Sequence, residues 1–185
     1  MTPQSEGDDS ALEFLVLSDG IEVPFRTVRQ ADAPALQRVH ARCSERTIHL
    51  RFFGPLNELS DGKAHYFAST DGIDHLGLVA LDPEDRNKIV AVVRYARNPG
   101  DEWAEYAALV EDRWQGHGVG AGLTRQLIDE AKGHGVRCFY ALVMGQNTRM
   151  LHVFRQLGLP QRERFEEGAK RVEIVLSPEE PRGAG

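Results

Sequence analysis

Apolar and polar positions along this chain follow two recurring periods, alternation by two and spacing by three or four, which are the periods of strands and amphipathic helices. Leu12 to Leu17 and Ile21 to Arg29 flank Ser18-Asp19-Gly20, and Asp-Gly between apolar runs predicts a hairpin. Asp32 precedes a run carrying Leu36 and Val39 near helical spacing, with Pro34 in the first turn. A helix is expected over roughly 33 to 43. Ser44 to Phe53 is less regular, and Gly54-Pro55 breaks any helix there. Ser60 is expected to cap a short helix through Phe67. Gly77 to Leu81 and Ile89 to Tyr95 enclose the polar turn Asp82 to Asn87, and Asn98-Pro99-Gly100-Asp101 leads into Glu102 to Val110. These predict three consecutive antiparallel strands. A helix over 118 to 132, with Leu123, Leu127, Ile128 and Ala131 in register, leads to a strand over Cys138 to Met144. Asn147 starts a helix to Leu157 that Gly158 ends, and short strands near 161 to 166 and 171 to 176 complete a mixed, mostly antiparallel sheet flanked by helices.

Length fits one domain, because 185 residues bury one core well and are too few for two of ordinary size. Residues 1–10 and 177–185, rich in Pro, Gly, Ser and acids, are expected to be mobile ends around a single domain over 11–176. An apolar fraction of 41% with 27% charged residues is that of a globular protein. No apolar run approaches the ~18 residues of a membrane span. Met1 to Ser10 carries acids and no base, unlike a secretory signal, so a cytoplasmic location without membrane association is expected. The net charge of −6 argues against nucleic acid as a partner. Cys43 and Cys138 lack C-x-x-C spacing and read as small buried hydrophobes, and no His or Cys cluster has the spacing of a metal site. His117 and His134 lie on polar segments and read as surface residues.

The stretch from Leu109 to Gly122 carries the chemistry. An apolar strand stops there, Gly116, Gly118 and Gly120 follow, and a helix begins. Glycines permit left-handed backbone and close main-chain approach, and a helix N-terminus concentrates free N–H donors, so a phosphate is the natural ligand. The lysine and hydroxyl of a P-loop are missing. Gly116, Gly118 and Ala121 satisfy G-x-G-x-x-A, but the next strand ends in Gly145-Gln146 instead of the acid that a dinucleotide ribose needs.

The spacing Gln115-x-x-Gly118-x-Gly120, between a strand and an amphipathic helix, resembles the acyl-CoA pyrophosphate loop of the GNAT superfamily of N-acyltransferases. Downstream, Asn147-x-x-Met150-Leu151-x-x-Phe154-x-x-x-Gly158-Leu159 is similar to that family's second block. Leu50-Arg51-Phe52-Phe53-Gly54-Pro55 and Asp19-Gly20-x-x-Val23-x-x-Arg26-x-x-Arg29 also look like segments of the catalytic domain of Pat-type protein lysine acetyltransferases. The resemblance spans roughly 14 to 176. It implies an α+β fold, a mostly antiparallel twisted sheet of about seven strands with about four helices. It implies acetyl-CoA as co-substrate, with no metal, bound by Leu109, Val110, Gln115, Gly116, His117, Gly118, Val119, Gly120, Ala121, Asn147 and Phe154. It makes His49, Arg51, Phe52 and Phe53 substrate-side candidates, although the two aromatics suit a core better and Arg51 also suits an ion pair. Asn147 suits a plain helix N-cap as well as a ligand contact.

Lysine amines, with a solution pKa near ~10.4, must lose a proton before attacking a thioester. Glu105 is the candidate base, because it lies in the otherwise uncharged Trp103-to-Val110 strand with Ala107 and Leu109 on its face, where burial would lift its pKa. A salt bridge to Arg94 or Arg51 is the alternative for it. Glu102, Glu111 and Asp112 fall at strand ends, where carboxylates are ordinarily solvated. A main-chain N–H of Leu109 or Val110 is placed to hold the acetyl carbonyl. Many family members have a tyrosine where this chain has Phe154, which leaves solvent, Tyr140 or Tyr106 to protonate the departing thiolate. The expected activity is acetylation of protein lysine, with an AMP-forming acyl-CoA synthetase as favoured partner. The competing readings are a small-molecule amine acetyltransferase and an acyl-CoA sensor without turnover. Walls around 49 to 67 that form an open acidic groove would favour a protein acceptor; a closed pocket would favour a small amine.

Overall fold

The computed structural model describes residues 12–177. The ends expected to be mobile lie outside the described residues, save Ser177. Strands β1 (Glu13–Val16) and β2 (Glu22–Thr27) make the expected hairpin, with Asp19 Oδ1 accepting from the Ile21 N–H at 3.0 Å. Three helices follow, α1 (Ala33–Arg42), α2 (Glu45–Phe52) and α3 (Asp61–Ala68). The meander β3 (His75–Asp82), β4 (Asp85–Ala96) and β5 (Trp103–Val110) leads to α4 (Val119–Gly133), β6 (Cys138–Val143), α5 (Thr148–Gln156), β7 (Gln161–Glu166) and β8 (Ala169–Val175). Among the described residues there are thus eight strands, those of the apolar pattern and one more than the resemblance implied, and five α-helices, one more than expected.

The helix that sequence reading missed is α2. Its cap signal was present: Ser44 Oγ accepts from the Thr47 N–H at 3.2 Å, Glu45 stands in the first turn, and His49 and Arg51 stand in the last. Its apolar periodicity is weak, because only Ile48 is buried. Tertiary contacts supply the rest. Asp112 accepts from the Ser44 N–H at 2.8 Å, the Ser44 hydroxyl at 2.6 Å and the Thr47 hydroxyl at 2.9 Å, tying the helix start to the end of β5.

The sheet runs β1-β2-β3-β4-β5-β6-β8-β7. Every neighbour pair is antiparallel except β5 with β6. One face packs on α4 and α5 through Leu123, Leu127, Phe139 and Phe154, the other on α1 to α3 through Leu36, Val39, Ile48 and Leu109. Each fully buried leucine or valine contributes about 1.5–3 kcal/mol. Cys138 is buried and Cys43 half-buried, both as free thiols, and burial pushes them up to about 11 and about 12 respectively. His134, expected at the surface, is half-buried with its Nδ1 3.2 Å from the Tyr95 hydroxyl.

One irregularity positions the site. β5 and β6 pair only through Trp103 with Cys138, Ala104 with Phe139 and Glu105 with Tyr140, and then diverge. Backbone direction alternates along β5. The Glu102 carbonyl faces β6, accepting from Arg137 and Cys138 N–H at 2.8 and 3.1 Å, and the Glu111 N–H faces β4, donating to Val90 at 2.9 Å. With no register shift between β4 and β5, the even-numbered residues of β5 all face β6: the Tyr106 N–H closes the last bridge, onto the Tyr140 carbonyl, and the N–H groups of Ala108 and Val110 point into the gap that β6 has left.

Candidate active site

The gap between β5 and β6 forms a cleft of about 840 Å³. Its walls come from α2, β5, β6, α5 and the turn before α4, so most of the expected site residues converge on it. Alternation settles the choice between the two main-chain candidates on β5. The Val110 N–H faces the cleft, whereas the Leu109 N–H is turned to β4, and Leu109 contributes only its side chain to the wall.

At one end lies the glycine turn. Gly116 and Gly118 sit at φ 78° and 90°, the left-handed region that side chains disfavour. Gly118 is the N-cap of α4, and the first intrahelical bond runs from the Gly122 N–H to the Gly118 carbonyl at 2.9 Å. The N–H groups of Val119, Gly120 and Ala121 therefore precede any intrahelical acceptor. Together with the positive end of a 15-residue helix, they make an anion cradle. Gln115, Gly116, Gly118, Gly120 and Ala121 line the cleft, but His117 points to solvent and Val119 is fully buried in the core. Those two residues offer main chain only.

Gln115 works inward. Its Nε2 donates to the Val110 carbonyl at 2.9 Å and to the Thr47 hydroxyl at 3.1 Å, while its Oε1 accepts from Arg149. It pins the end of β5 open and joins α2 to α5, so this side chain is committed before any ligand arrives. Asn147 caps α5, its Oδ1 accepting from the Met150 N–H at 3.2 Å, and only its amide NH2 remains for the cleft that it lines. Phe154 is fully buried, edge-on to Tyr106 with ring centroids 5.6 Å apart, and forms floor instead of a polar contact.

The other end of the cleft holds Glu105. Its side chain is exposed on the face shared with Ala107 and Leu109, so the buried carboxylate expected of an uncharged strand is not found. The parting of β5 from β6 begins right after this residue and leaves it in open cleft. Nor does it form the alternative salt bridge: among the described residues no ion pair within 4.0 Å joins it to Arg51 or Arg94. The competing carboxylates are engaged, and not simply solvated. Glu111 is buried and paired with Arg42 at 3.0 Å, Glu102 is paired with Arg137 at 3.1 Å, and Asp112 holds α2. Burial pushes the Asp112 carboxyl up, but its bonds from Ser44 and Thr47 together hold it below the usual range.

On α2, Thr47, Leu50, Arg51 and Phe52 line the cleft, as does Phe53 at its C-cap. His49 does not. A helical step of about 100° per residue turns it away from the face that Thr47, Leu50 and Arg51 share, and reading the segment as irregular hid both that error and the missed pair Thr47 and Leu50. Burial, then the like charge of Arg94, presses the Arg51 guanidinium down to about 10. Phe53 is exposed at the rim, and Phe52 is half-buried between Arg51 and His40, its ring centroid 5.8 Å from that of His40.

Neither tyrosine offers a free proton to the cleft. Tyr106 OH lies 2.7 Å from Thr124 Oγ1, and that hydroxyl gives its own proton to the Gly120 carbonyl at 2.6 Å. Tyr106 is therefore the donor to Thr124, and burial pushes its phenol up to about 12. Tyr140 pairs in register with Glu105 but lies outside the cleft lining, stacked under Arg171 at 4.3 Å.

The acetyltransferase (GNAT) family model matches residues 44–159. An acetyltransferase of Pseudomonas aeruginosa is 32% identical over 143 residues, 77% of this chain and 77% of its own length. The GNAT domain of S. lividans PAT superposes with a TM-score of 0.82 at 31% identity, covering 92% of this chain and 99% of that one. A cAMP-binding acyltransferase from Mycobacterium smegmatis has a TM-score of 0.64 at 23% identity, covering 91% of this chain and 48% of its own, a likeness of fold alone.

Proposed function

This chain belongs to the GNAT family of acetyltransferases, and from that premise we propose that it transfers acetyl from acetyl-CoA to lysine side chains of a protein, with Glu105 as general base. The residues present fit the co-substrate. The main-chain N–H groups of Val119, Gly120 and Ala121 and the open glycines 116 and 118 suit a pyrophosphate, and the N–H groups of Ala108 and Val110 suit an amide-bearing arm laid along the gap. Bound there, acetyl-CoA supplies an activated acyl carbon. Glu105 takes the proton from the attacking amine, directly or through one water. The Val110 N–H is aimed into the gap, where it would meet the acyl oxygen as negative charge develops. With Tyr106 committed to Thr124, solvent protonates the departing thiolate.

The observation that favours a protein acceptor is the rim. Phe53 and Tyr66, 47% and 53% exposed, stand beside Arg51 and Arg94, an aromatic border of the kind that a protein surface covers. The cleft is not the acidic groove named as a protein signature, since its charged lining is Arg51, Arg149, Arg155 and Glu105. As the Pat-type resemblance implies, an AMP-forming acyl-CoA synthetase is the favoured substrate and acetylation would inactivate it. The reaction is proposed to occur in the cytoplasm.

Incubation with acetyl-CoA and such a synthetase, followed by mass spectrometry, should reveal acetylated lysine and matching CoA release. Glu105→Gln should lower kcat by about 10²–10⁴-fold while CoA affinity holds. Amine acetylation confined to small molecules would favour that competing activity, and CoA binding with no transfer to any acceptor would favour a sensor.

A further inference from the structure

We propose that Arg51 and Arg94 form a carboxylate-binding subsite at the acceptor end of the cleft, so that the acceptor carries an acidic group close to the amine it offers. The inference rests on reading this end of the cleft as the acetyl-accepting site.

Arg94 lies on β4 opposite Ala107, one diagonal step from Glu105, and is only 9% exposed. Its guanidinium carbon sits 4.7 Å from the Tyr66 ring centre and 5.0 Å from that of Phe67. Arg51 stacks on Phe52 at 4.8 Å and approaches the same Phe67 at 5.8 Å. Two like charges thus share one aromatic ring, and neither guanidinium makes a hydrogen bond or ion pair with any described residue. Ring faces offset part of a buried charge but accept few of its N–H bonds. A buried guanidinium without an acceptor is costly, and a carboxylate is the partner its planar fork fits.

The space for such a partner exists. A side cavity of about 30 Å³ is lined by Arg51, Arg94, His40, Phe52 and Phe67, and it shares Arg51, Phe52 and the Ala107-to-Leu109 wall with the main cleft. His40 Nε2 is buried there without a partner. Formal charge points the same way. Two guanidiniums against the one Glu105 carboxylate leave one positive charge in excess, which a reacting acceptor with a neutral amine and one carboxylate would balance. That carboxylate comes either from an acidic residue beside the target lysine or from the α-carboxylate of a free amino acid.

Calorimetry on the CoA-saturated protein separates the sources without requiring turnover. Two acceptor pairs are compared, a lysine peptide with Glu or Gln beside the lysine, and free lysine or lysinamide. The carboxylate-bearing member of at least one pair should bind about tenfold tighter or better. Arg51→Gln and Arg94→Gln should each bring that preference close to onefold while keeping wild-type CoA affinity, which verifies folding. Arg94→Lys, which keeps the charge and loses the fork, should retain an intermediate preference and serves if the glutamine variants do not fold. Equal affinities within both pairs, or a preference that survives in both glutamine variants, overturns the subsite. So does a preference for a donor with a carboxylated acyl chain without any acceptor preference. A preference seen only with free lysine keeps the subsite and removes the protein-acceptor reading, and binding discrimination without acetyl transfer keeps it and removes the transfer reading.

Discussion

At the scale of single residues, the site is defined by which polar groups are already spent. Gln115, Asp112, Glu111 and the Tyr106 hydroxyl all have fixed partners, whereas Glu105 has none within ion-pair distance. Being spent has a measurable consequence for Tyr106. Removing its hydroxyl in Tyr106→Phe takes away one buried hydrogen bond but leaves Thr124 still bonded to Gly120, so unfolding in denaturant should show a loss of about 1 kcal/mol. A hundredfold fall in kcat in that variant would instead make Tyr106 the proton donor to the thiolate. Glu105 was identifiable from sequence as the lone charge of an apolar strand. Its exposure was not, because exposure depends on where a partner strand stops, and nothing within Trp103 to Val110 records how far β6 follows it.

At the scale of elements, α2 and the start of α4 shape the two ends of the cleft. Asp112 ties α2 to β5, and its carboxyl is held below the usual range, so the folded state binds its proton less readily than the unfolded chain does. That contribution is complete above the ordinary carboxyl value near ~4 and is lost as pH falls through the lower folded value. The difference in Tm between the native protein and Asp112→Asn should accordingly be largest near neutrality and shrink below about pH 4. At the other end, a Cβ on Gly118 would meet nothing within 4 Å, so only its φ of 90° resists a side chain. Gly118→Ala should cost about 1–2 kcal/mol and raise the KM for acetyl-CoA several-fold, as steady-state kinetics would read. The glycine turn, the hairpin, the meander and the α5 cap were legible because local chemistry determines each of them. α2 was missed because its cap is local but its stability comes from Asp112, 68 residues beyond Ser44. With it went the full cleft face, on which Thr47 and Leu50 join the expected Arg51 and His49 has no place.

At the scale of the whole molecule, the sheet is continuous near Glu105 and split beyond it. If the gap holds the donor's arm, amide hydrogen exchange should slow on CoA binding at Ala108 and Val110, while the Tyr106 amide, already bonded to the Tyr140 carbonyl, should change little. Ala107 and Leu109, which face β4, should change little. Uniform slowing over 106–110 would instead indicate general stiffening of the strand. The same gap is also an unsatisfied β-edge, the feature through which sheets recruit foreign strands. Here it lies inside the molecule, flanked by α4 and α5, and runs only from Tyr106 to Val110 before Gln115 caps the last carbonyl. An invading chain would find too short a ladder in too narrow a slot, so the protein can leave a strand half-paired for its ligand without offering its neighbours a seed for aggregation.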